Sequence, residues 1–453
     1  MEPIRVLIIA ESMAPVQAIA SIRWTKFAKY LSRLDDFKVS VLTNEKGFDG
    51  SNSNLKQYDY DASCTHDLDA VDVCYVPTSL YQAFSNRFFN WINGRLARER
   101  KKQNSSKGGS VGNSLPVRLL MMLRVLADWL TGNAIVRSAV GHVSELESFD
   151  CVISTYGPRW PHRVARCIKN KNQHVIWVAD FRDPAVSSAK TDTLFSHSYA
   201  DSITQDADLV LGISEGTITN LYLEHGQKTL VLTNGFDMEL TDQSHPDDRS
   251  PNKQLSFVYT GTLYADDTCL RDIRPLFQAL SELTRDGEID SAEISVEYAG
   301  TTPDLFLAAA SAFPDIHFKS HGLIKREDAL ALQKNAGALV VCSWNTSWQQ
   351  GVLTGKIFEY MQAGVPVVGL CSGDVPNSDL RQLIESCHLG YCYEEADDSG
   401  VVKLKDYILQ LYNQWKETGR TTLGEETHKK VMEYSYPILS SQLASIVRGL
   451  VRN

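Results

Sequence analysis

The sequence predicts an α/β protein built from two doubly wound, Rossmann-like parallel sheets that face each other across a cleft. Three observations predict it. Short apolar runs of strand length alternate with segments of helical apolar spacing from residue 4 to residue 232, and again from residue 255 to residue 393. A polar stretch at 238–254, with two prolines and several charges, separates the blocks. The chain's 453 residues are enough for two to four domains at roughly 150 residues each. The expected organisation is a first domain over 1–237, a linker over 238–254 and a second domain over 255–436. A closing helix over 437–453 returns to the first domain.

Composition narrows the function classes. A net charge of −10 argues against a nucleic-acid binder, which needs a basic field to track phosphates. Nine cysteines are scattered without CxxC pairs. They read as small core residues in a reduced cytoplasm, not as disulfides or metal ligands. The apolar start is cut by Glu11 and is too short for a signal peptide. No run of about 18 uncharged apolar residues spans a membrane.

The elements follow in order. Residues 4–10 form an apolar strand, 22–34 have helical spacing and 37–42 form a second strand, an opening βαβ unit. The loop between them lacks GxGxxG, so the dinucleotide fingerprint is absent. Residues 71–76 give a further strand. The region 86–124 carries nine basic residues, Arg87, Arg95, Arg98, Arg100, Lys101, Lys102, Lys107, Arg118 and Arg124, against Glu99 alone. Its Gly/Ser-rich middle reads as loop, and 115–130 as a helix with a wide apolar face. That insertion, about 80–130, is either a core helix behind a solvated basic loop or a peripheral contact with the inner face of the cell membrane. Strands at 151–155, 174–179, 209–213 and 229–232 complete the first block. Strands at 255–259, 293–299, 316–319, 338–342, 365–370 and 390–393 make the second.

Chemistry concentrates after the strand at 338–342. Residues 344–370 read WNTSWQQGVLTGKIFEYMQAGVPVVGL: a Gly-punctuated loop, a short helix stopped by Gly364, and a strand. The N–H groups opening that helix favour an anion, and Lys356 sits in its first turn with Glu359 three residues on. A surface Lys–Glu pair is the plainer reading of the same spacing. The YTGTLY segment, ending the strand at 255–259, offers backbone at Gly261 and a hydroxyl at Thr262. Two Gly-containing loops and one lysine on a shared sheet edge suit a nucleotide diphosphate, with Glu359 accepting from a ribose diol and no metal required. In the first domain Asp180, Arg182 and Asp183 end a strand. They read either as a salt-bridge cluster or as acceptor-recognition residues. His162 reads as a packing residue, and Arg23 is a weaker cleft candidate. The pairs Asp59/Asp61 and Asp67/Asp69 give only a weak metal motif.

KIFEYMQAGVPVV late in the second domain, with VADFRDP and TNGFD in the first, resembles the GT-B glycosyltransferases of the family-4 type, over roughly residues 4–440. The resemblance implies a retaining transferase, of hexosyl or N-acetylhexosaminyl type, that uses a nucleotide-diphosphate sugar, UDP-sugar ahead of GDP-sugar, and no further cofactor. It places Lys356 on the diphosphate, Glu359 on the ribose, and Gly261, Thr262 and residues Gly351, Val352, Leu353 and Thr354 along the donor. His321 to Ile324, Leu323 included, would lie beside the base. Lys356, Asp180, Arg182 and Asp183 are then the catalytic candidates, and a glycan or lipid-linked acceptor in surface polysaccharide synthesis is the expected partner. The chain departs from the family where Gly351 replaces its first acid, leaving backbone or Gln349 and Gln350 as substitutes, and where Arg271 alone stands for a basic pair. An epimerase on the same scaffold and a non-catalytic nucleotide-sugar-binding subunit are the competing readings.

Overall fold

A computed structural model describes residues 2–16, 19–44, 66–76, 87–88, 91–92, 94–95, 115–143, 149–183, 205–221, 226–240, 253–264 and 270–452. Arg98, Arg100, Lys101, Lys102, Lys107, the Asp59/Asp61 pair and residues 241–252 of the polar break lie outside them.

The first sheet contains β1 (Ile4–Ala10), β2 (Phe37–Asn44), β3 (Asp72–Val76), β4 (Cys151–Thr155), β5 (Ile176–Phe181), β6 (Leu209–Gly212) and β7 (Thr229–Val231). Their order is β3-β2-β1-β4-β5-β6-β7. Its helices are α1 (Ile19–Leu31), α2 (Leu115–His142), α3 (Trp160–Lys171) and α4 (Glu215–Thr219). The second sheet contains β8 (Leu255–Thr260), β9 (Ile294–Ala299), β10 (His317–Gly322), β11 (Ala338–Trp344), β12 (Val367–Ser372) and β13 (Gly390–Glu394). Their order is β10-β9-β8-β11-β12-β13 and every pair is parallel. Around it run α5 (Arg274–Arg285), α6 (Pro303–Ala310), α7 (Arg326–Lys334), α8 (Lys356–Ala363), α9 (Asp379–Ser386), α10 (Gly400–Thr418) and α11 (Glu425–Val431), and α12 (Tyr436–Arg452) closes the chain.

Continuous apolar runs make these strands because both faces are covered. In β8, Leu255, Phe257 and Tyr259 join the core on one face, shared with Leu276, Phe277 and Leu280 of α5. Val258 turns to the other face, with Ile357, Phe358 and Met361 of α8. The second sheet reverses strand order at β8 and β11, which lie side by side through Ala338↔Phe257 and Leu339↔Val258. Such a switch point opens a crevice outside the carboxyl ends of the two strands, and the loops after β8 and β11 both leave there.

The described residues fall into two compact units. One holds those of Met1–Asp180, Asp206–Asp208 and Val447–Asn453, the other those of Phe181–Gln205 and Leu209–Ile446. Within the first unit, Arg448 near the end of α12 grips Asp36 with two hydrogen bonds, Nε–Oδ2 at 2.7 Å and Nη2–Oδ1 at 2.8 Å. The helix expected over 115–130 runs twelve residues further, to His142. Ala134, Ile135 and Ala139 continue its buried spacing.

Candidate functional site

The site is built on the switch point of the second sheet. After β8 the backbone at Gly261 passes so close to Gly300 that a Cβ on Gly300 would lie 1.8 Å from Gly261 O. Tyr298 Oη donates to Gly261 O at 2.8 Å, and Tyr259 Oη donates to Thr262 O at 3.0 Å. The Thr262 hydroxyl meets that of Thr301 at 3.0 Å. Two buried tyrosines thus hold the Gly261–Thr262 loop in a fixed course.

After β11 the chain makes a braced loop. Ser343 Oγ donates to Val352 O at 2.7 Å, and Trp344 Nε1 donates to Gln349 Oε1 at 2.8 Å. Gly351 has φ +78°, and a Cβ there would stand 2.1 Å from Thr217 N and 2.8 Å from Ser214 Oγ. Its carbonyl accepts from Ser214 Oγ at 2.9 Å and from Thr217 Oγ1 at 3.1 Å, while Asn220 Nδ2 donates to Gln350 O at 2.9 Å. The absent acid therefore has a packing reason: α4 occupies the space any side chain at Gly351 would need. Leu353 is buried, its N–H turned back to Gly351 O at 3.0 Å. The Oγ1 of Thr354 is buried without a partner among the described residues.

The helix α8 opens at Lys356 and ends at Gly364, whose φ of +64° stops it. Its first turn gathers the charges. Lys356 Nζ lies 2.8 Å from Glu359 Oε2, and Arg326 Nη1 lies 3.0 Å from Glu359 Oε1. Gln333 Nε2 donates to Thr260 Oγ1 at 2.8 Å and reaches Glu359 Oε2 at 3.4 Å, joining the end of β8 to α8. Burial pushes the Glu359 carboxyl up, but Lys356 and then Arg326 outweigh it, and the group is held down at about 2. Glu359 is thus an anion flanked by two cations, and each cation keeps about a third of its side chain exposed (31% and 35%). Arg271 joins from the loop after β8. Its guanidinium carbon stands 4.5 Å from the Tyr264 ring centroid and 5.6 Å from that of Trp344, and Nη1 donates to Thr262 O at 3.3 Å. Its Nε is buried without a partner among the described residues.

Sequence reasoning missed Arg326 and Gln333. A basic residue opening the helix after β10 was the visible signal, but only folding carries it 33 positions along the chain to Glu359. Leu323 and Ile324 follow β10, and Leu323 is 43% exposed. Glu297 on β9 lies between His321 at 2.6 Å and Lys319 at 3.5 Å.

The first-sheet candidates separate. Asp180 is fully buried, its carboxylate taken by Arg23 Nη2 at 2.8 Å, Trp24 Nε1 at 2.9 Å and Thr155 Oγ1 at 2.9 Å. Neither Asp180 nor Arg23 presents a group to solvent. Arg182 and Asp183 pair with each other at 3.1 Å, Asp183 being 58% exposed. His162 is buried, bonded to Ser154 Oγ at 2.7 Å, and burial lowers it to about 3, so it is neutral at physiological pH. Asp67 is held by Lys26 and Lys29, which opposes a cation there. Among the described residues no cluster of three or more His, Cys, Asp or Glu side chains is placed to hold a metal.

No family model matches the sequence, and no curated protein matches it either. Solved structures do match in fold. The trehalose-6-phosphate phosphatase N-terminal domain of Candida albicans superposes with a TM-score of 0.61 at 10% identity, covering 98% of this chain and 97% of that one. A UDP-forming α,α-trehalose-phosphate synthase from Burkholderia xenovorans gives 0.58 at 10% identity, with 99% of each chain covered. An E. coli trehalose-6-phosphate protein bound with UDP-2-fluoro glucose gives 0.57 at 9% identity, with 98% of each covered. The fold is GT-B. At these identities the likeness extends to the fold alone.

Proposed function

We propose that the protein is a retaining glycosyltransferase that moves a sugar from a nucleotide-diphosphate sugar, a UDP-sugar ahead of a GDP-sugar, to a glycan or lipid-linked acceptor. One observation carries this reading: Lys356 and Glu359 open a helix at the switch point of the second sheet, beside the braced Gly261–Thr262 loop. The E. coli neighbour's UDP-2-fluoro glucose supports the donor class. In this reading residues 255–436 hold the donor, and residues 1–237 take the acceptor. Lys356 and Arg271 supply positive charge to the diphosphate, the N–H groups opening α8 add donors, and Glu359 accepts from the ribose hydroxyls. Lys356 and Arg326 keep Glu359 ionised for that task.

The acceptor hydroxyl attacks on the face from which the diphosphate leaves, and the departing phosphate oxygen takes its proton, so no enzymic nucleophile is required. The protein's contribution is to stabilise charge on the leaving group. Gly351 puts no carboxylate near the sugar, so donor-sugar contacts fall to backbone and to the Gln350 side chain.

The test is UDP-sugar turnover with a panel of acceptors, together with thermal shift by UDP. Lys356→Ala should lower turnover by ~10²–10³ and remove the UDP-induced rise in Tm while leaving the unliganded Tm near that of the native chain. Near-normal turnover in this variant would take Lys356 out of the mechanism. Steady donor turnover to an isomeric sugar without acceptor would select the epimerase reading instead.

A further inference from the structure

The second unit has another concavity, at the opposite edge of its sheet. A cleft of about 680 Å³ opens at the amino ends of β12 and β13, walled by Pro366, Leu389, Gly390 and Tyr391 on one side and by α10 on the other. Its size falls within the usual range for small-molecule sites. Helix α10 carries two stripes. Leu404, Ile408, Leu411 and Trp415 are buried in the core. Lys403, Tyr407, Gln410 and Gln414, at spacings of four, three and four, line the cleft with Asp406.

The polar groups of that stripe differ in how they are occupied. Lys403 is turned to Asp397 at 3.3 Å, and Gln414 is bonded to Thr422 at 3.2 Å. Glu385 on the rim pairs with Arg381 at 2.8 Å. Asp406, Gln410 and the Tyr407 hydroxyl make no hydrogen bond or ion pair among the described residues. The Tyr407 phenol is also held well above its ordinary range by burial alone. Tyr407 Oη lies so near Gly390 that a Cβ there would come within 2.6 Å of it. The Tyr391 and Tyr407 rings stand 6.1 Å apart at 47°, giving two tilted aromatic walls.

We propose that this cleft binds a neutral carbohydrate. Aromatic walls suit the C–H faces of a pyranose. An uncommitted carboxylate, a primary amide and a phenol suit hydroxyls that both donate and accept. The charge balance opposes an anion: the cleft's lysine is already paired, and the unpaired charge of Asp406 is negative. A nucleotide or phosphate is therefore disfavoured in this cleft, and an uncharged glycan is favoured. The inference does not rest on the donor-site reading, because it uses other residues at the other end of the strands.

Saturation-transfer NMR on the full chain with maltotriose, cellotriose and chitotriose tests it. At least one trisaccharide should receive saturation at its ring protons. Asp406→Ala and Gln410→Ala, both at exposed positions on α10, should each weaken its affinity about tenfold, the loss of one good hydrogen bond. Lys356→Ala should leave the saturation received by the trisaccharide as it is in the native chain. Transfer to none of the three would overturn the proposal. So would transfer that survives the Asp406→Ala/Gln410→Ala double variant, is lost in Lys356→Ala, or is displaced by inorganic phosphate.

Discussion

Two residues of the candidate site, Gly351 in the loop after β11 and Glu359 on α8, are held by different constraints. Gly351 is fixed by geometry: its φ of +78° is costly for a side chain, and α4 leaves no room for a Cβ. Gly351→Ala should therefore lose about 1–3 kcal/mol from backbone strain, with the clash against Thr217 adding to it. Urea unfolding measures this directly, and a loss under about 0.5 kcal/mol, the level of a neutral surface change, would contradict the packing. Glu359 is fixed by charge. Its folded value of about 2 lies below the ordinary 4.5, so its contribution to stability is complete above pH 4.5 and is lost as pH falls towards 2. Glu359→Gln should cost about 1–3 kcal/mol at pH 7, and the gap from the native chain should close across that window. A gap that stays constant down to pH 2 would show that the two cations do not act on Glu359.

At the scale of elements, helix α2 presents exposed apolar side chains. Met122 is 72% exposed and Leu126, four residues on, is 48% exposed. Trp91, 52% exposed, stacks on Phe88 at 6.1 Å, with the Arg95 guanidinium carbon 5.3 Å from its ring centroid. Among the described residues no helix is long and apolar enough to cross a membrane, so the contact we propose here is peripheral. Basic residues supply roughly 1 kcal/mol each near an anionic surface, and apolar side chains anchor. The protein should float with phosphatidylcholine vesicles only when phosphatidylserine is included, and Met122→Glu/Leu126→Glu should abolish flotation. Equal, negligible binding to both vesicle types would leave α2 as a helix that only packs.

Across the whole molecule, the sequence by itself determined the α/β class, the two blocks of alternating strands and helices, and the short helix that carries Lys356 and Glu359. These are local properties: strand-length apolar runs, helical spacing, and a glycine at the left-handed helix stop of Gly364. Tertiary structure decided what each charged group faces. Asp180, Arg182 and Asp183 are consecutive charges on paper, yet Asp180 turns inward to Arg23, 157 positions away, while Arg182 and Asp183 pair with each other. Arg326 and Gln333 join Glu359 only because parallel strands bring α7 and α8 to one sheet edge. Gly351 reads in the sequence as a lost acid, and in the fold Ser214 and Thr217, at the start of α4, bond its carbonyl. Periodicity records which face of an element is apolar, since burial acts on each residue in turn. Which charge meets which depends on strand order and loop course, and those follow from packing summed over the whole chain.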